Sequence, residues 1–366
     1  MPRRGLVHAA VESPSSPWGG IASAVRLMCE ADVLTGRRST VLAPGRYTGG
    51  APNLGTPERI YGAVDRVAEG ALLSRELLNG LKGAGGRSGI DVVVHNEELR
   101  DLLVELRSDS RNRVVYYSHG LSSQEHPGQN ELDRLQRDVL ATGVTVLVAS
   151  EQQRRELLLL RPKGPVRAIP PPLALHVARA AAPRPPPEAP LTLVAAGRTV
   201  PQKGFDLLLR AVDACSDAVG ALDLYAGHGA ASYEGFCREL AAKCRVSVRW
   251  RGWVPQEELI RLLPLYSALI MPSRFEPLGL LAAEAIGAGL PVAGSDTGGL
   301  GDLIRASGGV LIPCSPEGPS PAGISSAIRR LPGLVAVPPE RALRGWSTQQ
   351  YSDALAGALE HEGAGG

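Results

Sequence analysis

The amino-acid sequence predicts an α/β protein with two doubly wound parallel sheets, one in each half of the chain. Short apolar segments alternate with helix-patterned segments over the first 160 residues or so. The alternation stops at residues 180–190, which are dominated by alanine and proline, and it restarts at Leu191. The length of 366 residues suits two domains of ordinary size.

The first half is expected to contain five strands and five helices. The strand segments are apolar and rich in β-branched residues, and the helical segments carry apolar residues at helical spacing. The expected strands are 5–10, 39–43, 90–95, 114–117 and 144–149. The expected helices are 21–35, 69–81, 97–106, 130–141 and 151–160. Together these elements predict an N-terminal domain over residues 1–175.

The second half repeats this alternation without repeating the sequence. The expected strands are 191–196, 221–226, 246–250, 268–271 and 292–293. The expected helices are 205–214, 233–242, 256–263, 280–288, 322–330 and 347–360, with a connection at 332–339 and a glycine-rich turn at 297–301. A C-terminal domain over residues 190–335 follows from this pattern.

Composition excludes several classes of protein. A formal net charge of +2 argues against binding to nucleic acid driven by electrostatics. No apolar run approaches the ~18 residues that a membrane-spanning helix needs. Five scattered cysteines without a Cys-x-x-Cys pair are typical of reduced thiols, so a cytoplasmic location is expected.

One stretch, residues 272–304, concentrates residues that carry chemistry: PSRFEPLGLLAAEAIGAGLPVAGSDTGGLGDLI. Pro277 suits the first turn of a helix, so the N–H groups that follow are expected to face a ligand. Such a helix start favours anions. Two carboxylates eight positions apart, Glu276 and Glu284, are then left for hydroxyl groups. The combination indicates a phosphorylated sugar as the ligand.

This arrangement resembles the E-x7-E motif of retaining GT-B glycosyltransferases, especially family 4 and the glycogen and starch synthases. Segments 11–31, 117–120 and 192–206 resemble the same family, in the same order along the chain. The resemblance implies the GT-B fold, in which two Rossmann-like domains face a central cleft. It also implies that a helix at about 345–361 packs back on the first domain.

The resemblance assigns a role to each charged candidate. Arg198 and Lys203 are expected to hold the donor diphosphate, because a guanidinium can bind two phosphate oxygens and an ammonium acts as a compact charge. Glu276 is matched to the sugar hydroxyls and Glu284 to the two ribose hydroxyls. His119 is matched to the transferred sugar and the reaction centre. Four of these residues form the expected catalytic set: His119, Arg198, Lys203 and Glu276.

The other expected donor contacts are backbone groups and one indole. Glycine permits close approach of the backbone to a phosphate, and the indole is placed near the donor base. These residues are Gly19, Gly20, Gly197, Trp253, Leu278, Gly279 and Leu280. His95 and Asn96 end a strand of the first domain and are candidates for contact with the acceptor.

The predicted reaction moves a sugar from a nucleotide diphosphate sugar to an acceptor hydroxyl with retention of configuration. The sequence shows no acidic cluster with the spacing of metal ligands, so no metal and no other cofactor are expected. A small natural-product or saccharide acceptor is favoured, while glucan extension and a lipid acceptor remain open. The oligomeric state is left open as well.

Two functions from other classes agree less well with the sequence. An NAD-dependent oxidoreductase needs a Gly-x-Gly-x-x-Gly turn after its first strand, and Trp18-Gly19-Gly20-Ile21 does not supply one. A non-catalytic sugar-binding protein would lack the two cations matched to the diphosphate. Both are therefore less favoured than sugar transfer.

Overall fold

The computed structural model describes residues 5–11, 20–37, 39–43, 89–122, 130–173, 187–335 and 337–364, together with positions 74, 75, 78, 79 and 81. The chain divides into two compact units. Unit 1 comprises Met1–Pro172 and Gly345–Gly366, and unit 2 comprises Leu173–Arg344.

Each unit contains one six-stranded parallel sheet, which confirms the predicted α/β class. The strands are numbered along the chain as β1 (Leu6–Ala9), β2 (Ser39–Leu42), β3 (Asp91–Val94), β4 (Arg113–Ser118), β5 (Thr145–Val148), β6 (Val166–Ala168), β7 (Leu191–Arg198), β8 (Val219–Gly227), β9 (Ser247–Trp250), β10 (Ala268–Met271), β11 (Val292–Ser295) and β12 (Val310–Ile312). A separate two-stranded ribbon pairs β13 (Cys314–Ser315) with β14 (Gly318–Pro319).

The described helices connect these strands. They are α1 (Gly20–Leu34), α2 (Arg100–Arg107), α3 (Asn130–Ala141), α4 (Glu151–Leu158), α5 (Phe205–Ala214), α6 (Ala231–Lys243), α7 (Gln256–Leu262), α8 (Leu280–Gly287), α9 (Gly298–Ser307), α10 (Pro321–Arg329), α11 (Pro339–Ala342) and α12 (Thr348–Ala364). The helix expected at 69–81 lies mostly outside the described residues, as does the segment from 180 to 186.

In unit 1 the strand order is β2-β1-β3-β4-β5-β6. Successive side chains of a strand point to opposite faces of the sheet. One face carries Val7, Val92 and Tyr116 and packs against the leucines of α2 in a single apolar core. The other face carries His8 and Tyr117 and is covered by α1 and α12.

The C-terminal end of α12 is hydrogen-bonded to other elements of unit 1. Glu362 accepts hydrogen bonds from the backbone N–H of Thr145 at 2.6 Å and from the guanidinium of Arg107 at 2.8 Å. Tyr351, on the same helix, is 1% exposed. α12 is therefore an integral part of the unit 1 core.

In unit 2 the strand order is β12-β11-β10-β7-β8-β9. The chain builds the sheet outward in one direction from β7 and in the other direction from β10. These two strands are neighbours, so the point where the order reverses lies between them. In open parallel sheets this is the place where ligands bind, outside the carboxyl ends of the strands.

Several expected elements differ from the structure. Residues 297–301 were expected to form a turn, but α9 begins at Gly298, since its first residues pack on the preceding loop and the N–H of Gly299 donates to the carbonyl of Pro277 at 2.8 Å. Strands β6 and β12 were not expected. Each has three residues, too few for alternation to be recognised. The connection expected at 332–339 runs into the short helix α11.

We predict that Glu362→Ala lowers the free energy of unfolding by about 1–3 kcal/mol, because a backbone N–H and a guanidinium lose their acceptor. Thermal and urea unfolding measure the effect. Glu360→Ala is the matched control, since Glu360 is exposed on the same helix. Equal melting temperatures for the two variants would show that this contact does not hold α12.

Candidate functional site

Two loops meet at the carboxyl ends of β7 and β10, at the reversal point of the unit 2 sheet. The N–H of Arg274 donates to the carbonyl of Gln202 at 2.7 Å, and the side-chain amide of Gln202 donates to the carbonyl of Phe275 at 3.2 Å. The loop after β7 and the loop after β10 are thus joined by one hydrogen bond between their backbones and one from a side chain to a backbone.

Gly204 makes this close approach possible. Its φ is +67°, and a Cβ at this position would lie 2.1 Å from the carbonyl oxygen of Pro272. A side chain is therefore excluded twice, by the left-handed backbone and by the neighbouring loop. α5 begins at the next residue, Phe205, which is buried.

An ion pair between Arg274 and Asp206 also joins these two loops. The guanidinium of Arg274 binds both carboxylate oxygens of Asp206 at 2.9 and 2.8 Å, and the Tyr233 hydroxyl donates to this carboxylate at 2.6 Å. Burial opposes the charged form of Asp206, but the bonds from Arg274 and Tyr233 outweigh it, so the pKa of this carboxyl is lowered. Arg274 has no role that could be assigned from the sequence, and in the structure it positions the loop that carries Glu276.

The two residues matched to phosphate and sugar are in direct contact. The Lys203 ammonium lies 2.6 Å from a carboxylate oxygen of Glu276, with both side chains largely buried. The aliphatic carbons of the Lys203 side chain lie over Gly197. A Cβ at position 197 would lie 3.5 Å from these carbons. Arg198 is exposed at the end of β7, beside this pair in sequence. The structure therefore brings a lysine and a glutamate together at the reversal point.

The helix of the E-x7-E motif begins at Leu280, as expected for the helix at 280–288, so the expectation that Pro277 lies in its first turn is wrong. α8 starts at Leu280 with Gly279 as its N-cap, at φ +82°, so Pro277 and Leu278 precede the helix. Glu276 therefore lies in the loop, and only Glu284 lies on the helix. No side chain caps this end. The first N–H groups of α8 lack partners within the helix and can bind an anion at the same loop.

Glu284 is almost fully buried on α8, at 2% exposure. The side-chain amide of Gln256, the first residue of α7, donates to its carboxylate. Gln256 was not recognised from the sequence, because an isolated glutamine at a helix start is more often a surface residue. The pair connects α8 to the loop after β9.

Trp253 lies in that loop and touches the end of β8. Its ring stands edge-on to the His228 ring at 5.5 Å between centroids, and its Cβ lies next to Gly227. The loops after β7, β8, β9 and β10 thus border one edge of the unit 2 sheet, where a nucleotide can be held along its length.

In unit 1, Gly20 is the first residue of α1, while Gly19 lies outside the described residues. His119 follows β4 and is half-buried. Its Nε2 lies 3.0 Å from Nδ1 of His95, which follows β3. Burial lowers the pKa of His119 to about 3. Burial, with the adjacent imidazoles, lowers the pKa of His95 well below its ordinary range.

The histidine contacts continue into the interior of unit 1. Nε2 of His95 lies 2.9 Å from Nδ1 of His8, and Nε2 of His8 lies 2.9 Å from a carboxylate oxygen of Asp32 on α1. From the sequence, His8 is only a weak candidate for a site residue and Asp32 is not a candidate. The available signal was that three strand-like segments each carry a histidine near their end.

The two acceptor candidates both make contacts within unit 1. His95 is 1% exposed and belongs to the histidine series. The side-chain oxygen of Asn96 accepts from the N–H of Val11 at 2.9 Å. Contact of either residue with an acceptor stays a prediction.

Comparison with known proteins agrees with this geometry. Residues 179–331 match the family model described as Glycosyl transferases group 1. A D-inositol 3-phosphate glycosyltransferase from Streptomyces bingchenggensis is 36% identical over 165 residues, which are 41% of this chain and 35% of that protein. The curated relatives match over only 24–35% of their own length.

Solved structures match over nearly the whole chain. Sucrose-phosphate synthase from Thermosynechococcus elongatus has a TM-score of 0.79 at 20% identity, with all of both chains covered. HepE of Anabaena, solved with UDP-glucose, has a TM-score of 0.73 at 15% identity, covering 98% of this chain and all of that one. The chain has the GT-B fold, and residues 179–331 are similar to the glycosyl transferases of group 1.

Membrane-spanning helices and metal-binding clusters are both absent from the described residues of this chain. None of the described helices combines the length and the apolar character that crossing a bilayer requires. Among the same residues, no group of three or more histidine, cysteine or acidic side chains is arranged to hold a metal ion.

We predict that Gly204→Ala lowers the free energy of unfolding of unit 2 by about 1–3 kcal/mol or more. The new methyl group would clash with the Pro272 carbonyl, and the left-handed backbone at this position disfavours alanine. Gly235→Ala is the matched control. Gly235 lies on α6 with open space around it, so alanine there is expected to be neutral or stabilising. Thermal unfolding compares the two. A Gly204→Ala protein as stable as the control would mean that the two loops do not need this approach.

Proposed function

We propose that the protein is a retaining glycosyltransferase that moves a sugar from a nucleotide diphosphate sugar to an acceptor hydroxyl. The observation that carries the proposal is the Lys203–Glu276 contact at the reversal point of the unit 2 sheet, beside the start of α8. One group suits a phosphate and the other suits sugar hydroxyls, and the uncapped helix start adds a second anion site.

The leaving diphosphate is the part of the donor that the chain is best equipped to stabilise. Lys203, Arg198 and the N–H groups near Leu280 provide positive charge and hydrogen bonds where negative charge develops. Preorganised donors of this kind commonly supply the largest share of catalysis. They require no metal, so we propose a metal-independent reaction with the nucleotide sugar as co-substrate.

The carboxylates then orient the donor. Glu276 accepts hydrogen bonds from the sugar, and Glu284, held by Gln256, accepts them from the ribose. The resemblance adds His119 as a contact of the transferred sugar. The acceptor oxygen attacks the anomeric carbon on the face that the phosphate leaves, and the departing phosphate oxygen takes its proton. No protein nucleophile takes part.

The class of donor is supported by the known structures, since HepE was solved with UDP-glucose. For the acceptor we favour a small soluble molecule or a saccharide, with the reaction in the cytoplasm. A thermal-shift screen of UDP, GDP, dTDP and ADP with their sugars tests the donor. Saturation at ~100 times the dissociation constant stabilises by about 2.7 kcal/mol. If none of these ligands raises the melting temperature, the proposed function is wrong.

Arg198→Ala and Lys203→Ala are each predicted to lower turnover by at least ~100-fold, the usual cost of one lost donor to a developing charge. Lys243→Ala is the matched control. Lys243 is exposed at the end of α6, and the helix after β8 returns toward the amino ends of the strands, away from the site. Initial rates with the donor found in the screen give the comparison. Turnover near that of the control in both site variants would remove the diphosphate assignment.

The product is predicted to keep the anomeric configuration of the donor. Glu276 and Glu284 sit on consecutive parts of one loop and helix, and Glu276 is paired with Lys203. Neither carboxylate is thereby assigned to activate an acceptor from the opposite face, as inversion requires. The coupling constant of the anomeric proton in the NMR spectrum of the fresh product reports the outcome. A β-linked product from an α-linked donor would contradict the mechanism and leave the fold unaffected.

A further inference from the structure

Unit 1 contains a continuous series of side chains that runs from a buried carboxylate to a half-buried imidazole. We call Asp32, His8, His95 and His119 the histidine chain. Its three contacts measure 2.9, 2.9 and 3.0 Å. Asp32 and His8 are fully buried and His95 is 1% exposed. His119 is the member with the most access to solvent.

The sheet explains how the series forms. β1, β3 and β4 are neighbouring parallel strands, about 4.8 Å apart. His8 pairs in register with Val93, two residues before His95, so both rings stand on one face. His119 follows β4 on the same face, two residues after Tyr117. The rings are accordingly spaced by 5.2 and 5.3 Å between centroids.

Each contact between two ring nitrogens requires one proton and one lone pair, and this rule fixes the whole series once one end is known. The Asp32 carboxylate can only accept, so Nε2 of His8 carries a proton. In a neutral ring Nδ1 of His8 is then a lone pair, which obliges Nε2 of His95 to donate. The same step repeats at His119. All three rings carry their proton on Nε2, and Nδ1 of His119 is left as an acceptor.

The three rings can also carry one additional proton, and this proton changes Nδ1 of His119 from an acceptor to a donor. One additional proton anywhere along the three rings places a hydrogen on Nδ1 of His119 in every arrangement that keeps the contacts. The lowered pKa values of His95 and His119 disfavour a charge on either of these two rings. The property of the outermost nitrogen therefore depends on the group at the buried end.

We infer that Asp32 and His8 are positioning residues that act through His95 to hold Nδ1 of His119 as a hydrogen-bond acceptor for a substrate hydroxyl. The inference rests on the proposed function for the identity of that hydroxyl, which belongs to a sugar. The tautomer itself is a property of unit 1 and exists whether or not sugar is transferred. Among the described residues, none forms a hydrogen bond with Nδ1 of His119, which leaves this nitrogen available.

The test begins with the unaltered full-length protein. Ring-¹⁵N-labelled histidine is incorporated, and the seven histidines are resolved by ¹H–¹⁵N correlation at neutral pH. A His119→Asn variant identifies the signals of His119. We expect His8, His95 and His119 each to show a protonated Nε2 and a bare Nδ1. A protonated Nδ1 on His119, or averaging between tautomers, would overturn the inference without any variant of the chain.

A substitution then tests whether the buried end sets the tautomer. Asp32→Leu removes the acceptor at similar volume, and it also removes a carboxylate oxygen that has no hydrogen-bond partner among the described residues. A buried N–H without an acceptor is less tolerated than a lone pair without a donor. We therefore expect a protonated Nδ1 to appear on His119. Glu30→Leu, an exposed position on the same helix, is the matched control and should leave the spectrum unchanged. A folded Asp32→Leu protein with the tautomer of the unaltered chain would refute the role of Asp32.

Kinetics separate this inference from the proposed function. With the donor identified by the screen, Asp32→Leu is expected to reduce turnover about tenfold, the effect of one lost hydrogen bond, with Glu30→Leu unaffected. If the protein transfers no sugar but the spectra agree, the proposed function fails and the histidine chain stands. If sugar is transferred but Asp32→Leu changes neither the His119 tautomer nor turnover, the histidine chain fails and the proposed function stands.

Discussion

The candidate donor site depends on the hydrogen bonds and the ion pair that hold the loops after β7 and β10 together. Gly204 lets the loops touch, and Arg274 fastens them through both oxygens of Asp206. This contact fixes where Lys203 stands relative to Glu276. A flexible lysine on one loop and a glutamate on another would otherwise have no reason to keep a 2.6 Å separation.

The same architectural rule operates in both units. Parallel strands bring the ends of distant segments to one edge of a sheet, so residues far apart in sequence become neighbours. In unit 2 this assembles the loops around Lys203, and in unit 1 it aligns His8, His95 and His119 on successive strands. The two clusters differ in character. The first is an ion pair between Lys203 and Glu276 beside a helix start, whereas the second is a buried series of imidazole rings ending at a half-buried one.

Much of this organisation could be predicted from the sequence, because it depends on periodic signals. Buried strands and amphipathic helices are visible as patterns, and several expected bounds, such as those of α5 and β10, agree with the structure. The start of α8 at Leu280 agrees with the helix expected at 280–288, whereas the expected place of Pro277 in its first turn is wrong. Pro277 is compatible with a helix start, but Gly279 is the residue that takes the left-handed conformation before the helix.

What could not be predicted depends on contacts between distant segments. Arg274 with Asp206 and Gln256 with Glu284 join positions 68 and 28 residues apart. Nothing in the local pattern around either residue reports such a partner. His8 was an isolated histidine in an apolar strand, and only the strand order β1-β3-β4 reveals that it stands next to His95. The family resemblance concerned Lys203, Glu276 and Glu284, and it gave no information on Arg274 and Gln256, which contact this loop and helix.

The Lys203–Glu276 contact has a consequence for how a donor and its spent nucleotide compete. Under the proposed function, a diphosphate that takes the ammonium deprives a 9%-exposed carboxylate of its cation, which is costly in a buried setting. A sugar attached to the diphosphate compensates by giving its hydroxyl protons to Glu276. Once the sugar has left, that compensation is gone and the carboxylate competes again for Lys203. Under the proposed function, the donor therefore binds more tightly than the free nucleotide diphosphate, and Glu276 favours release of that product.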